Sequence, residues 1–244
     1  MNWFDSHQFL LPRRARNRRW YHEQLSALAQ NFCNQPRLFR PECRLPNLLP
    51  MGFSRADLEA ARDRSVPDLL GDDLRLLFVG INPGLWTAAA QAHFAKRGNR
   101  FYPALHLAGL TEREIDASGG LSPEDTLELT SRGIGITNLV NRATARADEL
   151  STEEVRRGGS DLARKASLLR PTVIVVLGIT AYRTAFDQPR AKGGWQPEGL
   201  GEVELLVAGN PSGLNAHETV ASLAASFKEA ADRAGIRPIK IGQG

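Results

Sequence analysis

Asn82 and Asn210 each stand directly before a proline, in Gly80-Ile81-Asn82-Pro83-Gly84 and in Asn210-Pro211-Ser212-Gly213-Leu214-Asn215. An asparagine amide carries donors and an acceptor and does not ionise, so it can orient a water or bind a ligand but is a poor general base. The proline behind it fixes the backbone and holds the asparagine extended. Gly80 allows a sharp turn, and Gly84 leaves open space for whatever lies beside it. Ser212 and Gly213 are small and expose backbone N–H groups. Leu214 is a large apolar side chain in a polar loop, either tucked into the core or presented to a partner. Proteins that distort duplex nucleic acid use such wedges to part base steps. Taken alone, Asn82 could do no more than cap a turn; two such loops together argue for a site.

The elements that must position these loops are legible around them. Each loop follows an apolar run of strand length, residues 74–79 and 203–208. Residues 134–140 and 172–177 are two further runs, the second β-branched and nearly continuous, as suits a strand buried on both faces. Helical patterns separate them. Ser54 caps a helix with Asp57 at its third position, Ser122-Pro123-Glu124-Asp125 opens another, and Ser151-Thr152-Glu153-Glu154 is a capping box. Gly158-Gly159 weakens the last of these helices. Residues 180–186 and 218–234 complete the set. This alternation predicts a three-layer α/β/α fold with a central, mainly parallel four-stranded sheet. Parallel strand ends share one edge, where ligands bind, so the two loops are expected to wall one site.

Charge divides the chain. Residues 1–50 hold eight arginines, no lysine and three acids, a net +5 against about −1 for residues 51–244. We therefore read a basic N-terminal arm over 1–50, with one helix at 20–32, and an α/β domain over 51–244. The densest stretch contains Arg13, Arg14, Arg16, Arg18 and Arg19 and closes on Trp20 and Tyr21. Arginines neutralise phosphates and aromatics stack on bases, which points to nucleic acid; a solvated basic helix start is the alternative. Cys33 and Cys43 are too few for a four-cysteine zinc or iron–sulfur site. No metal or cofactor is expected. No apolar stretch approaches the ~20 residues that span a bilayer, and the N-terminus lacks a secretory pattern. The expectation is a cytoplasmic monomer with no membrane partner.

Residues 80–84, followed by Asn99-Arg100-Phe101, then Gly133-Ile134-Gly135-Ile136-Thr137-Asn138-Leu139-Val140-Asn141-Arg142, then Asn210-Pro211-Ser212-Gly213-Leu214, resemble the mismatch-specific uracil/thymine DNA glycosylase family. The likeness runs in order over residues 53–235 and leaves the arm outside. It implies that Asn82 positions the water that attacks C1′ of the deoxyribose. It places Asn210 where single-strand-active relatives carry a histidine for the leaving base. Ile81, Gly84, Thr87, Phe94 and Asn138 would form the base pocket, with Phe94 stacking on the base. Gly84 replaces a tyrosine that excludes the thymine methyl in uracil-strict relatives, while Thr87 crowds the position that methyl would take. Ser212, Gly213, Leu214 and Asn215 would form the intercalating loop facing the opposite guanine. Arg100 and Arg142, with Arg13, Arg14 and Arg16 of the arm, would contact the DNA backbone. The implied partner is double-stranded DNA with G:U or related mismatches, and the implied activity hydrolyses the N-glycosidic bond at the start of base excision repair.

Two other functions compete. A non-catalytic protein could use the same pocket to sense mismatches or damage. An α/β nucleotide-binding module could cradle a phosphate on residues 80–84, though the loop lacks a glycine-rich fingerprint with a lysine. Among the remaining residues, His93 reads as a surface-loop histidine and His106 as structural. Trp86 is core or pocket wall, Trp195 is packing, and Arg142 and Asn141 divide between phosphate contact and structural pairing.

Overall fold

The computed structural model describes residues 52–239. The expected arm, its helix and Arg13, Arg14 and Arg16 lie outside the described residues. In chain order the elements are α1 (Arg55–Ala60), β1 (Leu76–Gly80), α2 (Leu85–Ala90), α3 (Phe101–Leu107), α4 (Pro123–Ser131), β2 (Ile134–Asn138), a 3-10 turn (Ala147–Glu149), α5 (Thr152–Leu169), β3 (Val173–Leu177), α6 (Ile179–Ala185), β4 (Gly194–Trp195), β5 (Glu204–Ala208) and α7 (Val220–Arg233). Among the described residues no helix is long and apolar enough to cross a membrane.

The capping residues act as their chemistry requires. Ser54, Ser122 and Ser151 each accept from the backbone N–H three residues on, and Asp57 and Glu154 return the bond in two of the three cases. Each such cap contributes about 1 kcal/mol to its helix start. The sheet has five strands in the order β2-β1-β3-β5-β4 rather than the four expected. The four predicted strands are present and mutually parallel. The addition is β4, two residues pairing antiparallel on the outer edge of β5. A two-residue strand leaves no periodicity to read.

Side chains alternate across the sheet, as the strand period of two demands. Leu76, Phe78, Val173, Val175 and Leu206 face a core shared with α3, α4 and α7. Leu77, Val79, Ile174, Val176 and Leu205 face a second core shared with α5 and α6. Phe78 sits at the centre of the first, edge-on to Phe101 and Phe227 at 5.2 and 4.8 Å between ring centroids. Helix α5 tolerates Gly158 and Gly159 because its backbone lies against two carbonyls. A Cβ on Gly158 would stand 2.4 Å from Leu139 O, and one on Gly159 would stand 2.3 Å from Ala185 O.

Candidate active site

The chain runs from β1 outward to β2 and then back across β1 to β3, so β1 and β3 flank the point where the strand order reverses. Crevices at the carboxyl ends of strands open at such points. In register, Gly80 pairs with Asn138 and Leu177 with Ala208, so the four parallel strands finish at one edge. Ile81 and Asn210 meet there over Gly178, whose absent Cβ would lie 3.2 Å from Ile81 and 4.0 Å from the Cβ of Asn210. A cavity of about 410 Å³ opens at this edge. Ile81, Asn82, Gly84, Thr87, Phe94, Asn138, Asn210, Ser212 and Leu214 all line it, so both loops wall one pocket. A larger neighbouring cleft of about 550 Å³ shares Phe94, Lys96 and Asn99 but neither asparagine loop.

Asn82 is wired to the body of the protein. Its Nδ2 donates to Arg142 O at 2.9 Å, to Thr144 Oγ1 at 2.7 Å and to Pro83 O at 3.2 Å. Backbone carbonyls only accept, which fixes the orientation of the amide and leaves Oδ1 as its uncommitted acceptor. Thr144 is buried and passes its own hydroxyl proton to Arg146 O at 2.7 Å. A neutral acceptor held on three bonds can hold a water by one of its hydrogens, but it cannot take the proton.

Asn138 is oriented by a residue misjudged from sequence. His93 is not a surface histidine; it is 2% exposed. Its Nε2 lies 2.9 Å from Pro67 O, so that nitrogen must carry the hydrogen. Neutral His93 then accepts at Nδ1 from Asn138 Nδ2, 3.2 Å away. Burial pushes the imidazole below its ordinary value, against the opposing pull of the Pro67 carbonyl and Asp68, which keeps Nδ1 unprotonated. The Oδ1 of Asn138 is thereby turned toward Gly80, 2.5 Å from where a Cβ would stand. It offers an acceptor to an N–H donor on a ligand. Phe94 lies flat on Phe101, centroids 4.1 Å apart, in the left-handed backbone region at φ 56°. No atom lies within 4 Å of a Cβ placed on Gly84.

Asn210 spends its acceptor locally, taking Ser212 N–H at 2.9 Å on Oδ1, while its Nδ2 has no partner among the described residues. Asn215 was expected to face an opposite base. Its Nδ2 instead donates to Asn210 O at 3.0 Å, and its Oδ1 accepts from His217 N–H at 3.2 Å, so both ends serve the loop. Leu214 is presented rather than tucked, at 87% exposure.

The two arginines assigned to a DNA backbone are otherwise engaged. Arg142 forks onto Glu154 at 2.8 and 3.2 Å and reaches Asp63 at 2.9 Å. The same bond to Arg142 holds the Glu154 carboxyl down at about 2. Asn141 exchanges two hydrogen bonds with the backbone of Val66. Arg100 donates to carbonyls of the second loop. Trp86 hydrogen-bonds Ser118 O and packs edge-on against Phe53, outside the pocket lining. Trp195 packs under Arg233. Sequence reasoning missed residues 144–148, which form a further wall of the pocket, and Lys96 at its rim. The only sequence signal of residues 144–148 is position, a few residues past the end of β2. Among the described residues no cluster of His, Cys, Asp and Glu is arranged to hold a metal.

The sequence profile of the uracil DNA glycosylase superfamily matches residues 67–233, which contain every pocket residue named above. A Methanosarcina acetivorans protein, provisionally assigned as a uracil DNA glycosylase and solved by solution NMR, is similar in structure. The match has 18% identity and a TM-score of 0.49 and covers 69% of this chain and 98% of that one. The assignment rests on the profile, which spans well over half of the sequence. The chain belongs to the uracil DNA glycosylase superfamily, and that membership makes it a DNA-directed hydrolase of the glycosylase type.

Proposed function

We propose that the protein is a monofunctional DNA glycosylase that turns uracil out of G:U and related mismatches and hydrolyses its bond to deoxyribose. One observation supports this above the rest: a pocket walled by the two asparagine loops carries at its mouth an apolar Leu214 that is 87% exposed. A base within a duplex hides its C1′, so it must be rotated out at a few kcal/mol, and that cost is least at a mismatch. Leu214 is suited to fill the space the base vacates.

In the pocket, Asn138 Oδ1 accepts from the N3–H of uracil and Phe94 covers one face of the ring. Asn82 Oδ1 holds a water toward C1′. The N1–C1′ bond breaks with its electron pair leaving on the base, the water oxygen bonds to C1′, and the water's proton passes to solvent. Because Asn82 takes no proton, bond breaking runs ahead of attack. Donors aimed at the departing anion, Asn210 Nδ2 among them, are then worth ~3–4 kcal/mol each. The open space beside Gly84 admits pyrimidines substituted at C5, while Thr87 slows thymine relative to uracil. Neither asparagine loop carries a lysine; Lys96 lines the pocket, and strand breakage before alkali would reveal its attack on C1′.

The test is base release from G:U, A:U and G:T duplexes and from single-stranded uracil DNA, with strands examined before and after alkali. The expected result is fastest release from G:U and no strand break before alkali. Absence of uracil release from every substrate would sink the proposal.

A further inference from the structure

Among the described residues, Arg100 makes more bonds to the second loop than any other residue outside it. Its backbone N–H donates to Pro211 O at 2.9 Å, its Nη1 to Ser212 O at 2.8 Å and Asn215 O at 2.9 Å, and its Nη2 to Gly213 O at 3.5 Å. Carbonyls from three loop residues thus converge on one guanidinium, and a carboxylate is not among its partners in the described residues. Carbonyl dipoles aimed at a common point repel one another unless a cation sits there. The planar fork of arginine can serve several acceptors at once, which an ammonium on a flexible stem does poorly. The gripped residues bracket Leu214 on both sides, so the chain curls around Arg100 and the leucine is left outermost. The neighbouring Gly98 O lies 2.7 Å from where a Cβ on Gly213 would stand, which closes the inner face of the curl to side chains.

We propose that Arg100 is the positioning residue of the wedge: it prebuilds the curl that presents Leu214, and it does not contact phosphate. The proposal rests on the glycosylase reading above. An exposed leucine on an unsupported loop would sample many positions, and ordering the loop only on DNA would cost affinity. With the curl already formed, that ordering is complete before DNA arrives. Engaging a phosphate instead would require Arg100 to release the carbonyls it holds.

The test compares Arg100→Lys and Arg100→Gln with the parent protein. Single-turnover uracil release is measured on a G:U duplex and on single-stranded DNA over a range of salt. Both variants are expected to lose about tenfold on the duplex, as for a displaced positioning group, and little on single strands. Lysine should rescue no better than glutamine, and the salt slope of duplex binding should stay unchanged. Amide hydrogen exchange without DNA should show residues 212–215 opening faster in both variants. If lysine preserves the duplex rate while glutamine flattens the salt slope by about 0.9, Arg100 is a phosphate contact and the proposal fails. Equal losses on the two substrates, or unchanged exchange in the loop, overturn it as well. If the parent releases no uracil, the glycosylase reading fails, and the exchange experiment still decides whether Arg100 builds the loop.

Discussion

Asn82 is held by acceptors that belong to the body of the protein, whereas Asn210 is held within its own loop. The first loop leaves a fully buried strand, and its amide is fastened to Arg142 O and Thr144 Oγ1. The second bonds back on itself through Asn210 and Asn215 and is tied down chiefly by Arg100, with Leu214 exposed at its tip. On the proposed reading, the group that acts on one atom is fixed by the core, and the group that enters the duplex is mounted on an exposed curl. A reacting group misplaced by 1 Å can cost about a hundredfold in rate, while a wedge needs only to occupy a gap.

The largest effect should come from the anchored side. Asn82→Ala is expected to lower single-turnover uracil release by about two orders of magnitude or more while duplex affinity stays close to normal, since a group used only in the transition state affects rate and not binding. A near-normal rate would show that Asn82 only braces Thr144. Leu214→Ala should cost less, about tenfold on duplex G:U, with little change on single-stranded DNA, where no stack has to be kept open. Equal losses would move Leu214 from wedge to packing.

The smallest effect sharpens the contrast through pH. His93 is held below the ordinary histidine value of 6.5 by burial. Between that value and the lowered one the unfolded chain binds the proton and the folded one resists it, so stability is full above 6.5 and falls as pH drops through this window. Each unit of depression corresponds to about 1.4 kcal/mol. Protonation would also take the Nδ1 acceptor from Asn138, so uracil release should weaken on the same acid side. Unfolding and rate profiles of the parent and of His93→Gln check this: the acid limb should shrink in the variant, and an unchanged limb would remove His93 from the base pocket. The Asp68 and Lys165 charges act on His93 in opposite directions, so the profile should be compared at two salt concentrations.

The four parallel strands and the capped helices were legible because their signals are local: apolar runs, β-branching, and a serine three residues before an acid. The two loops were legible because proline and glycine mark them. His93 was not, because the partners of its ring, Pro67 O and Asn138 Nδ2, lie 26 and 45 residues away, and short-range sequence does not encode that. Arg100 reads from sequence as a cation for phosphate, and Arg142 divides between phosphate contact and structural pairing. Their partners, Glu154 and Asp63 for one and the loop carbonyls for the other, lie 12 to 115 residues away. Likewise the wall at 144–148 has no composition that sets it apart from any surface loop.

The paired glycines of α5 carry a last consequence. Leu139, whose carbonyl touches Gly158, begins the stretch that continues through Arg142 to Thr144, the residues that grip Asn82. A methyl group added at Gly158 therefore pushes on the far end of the segment that orients the Asn82 amide. In a survey of loss-of-function variants these glycines would be mistaken for catalytic positions, although neither lines the pocket. The tolerance map of this enzyme should follow the backbone contacts behind its site more closely than the side chains within it.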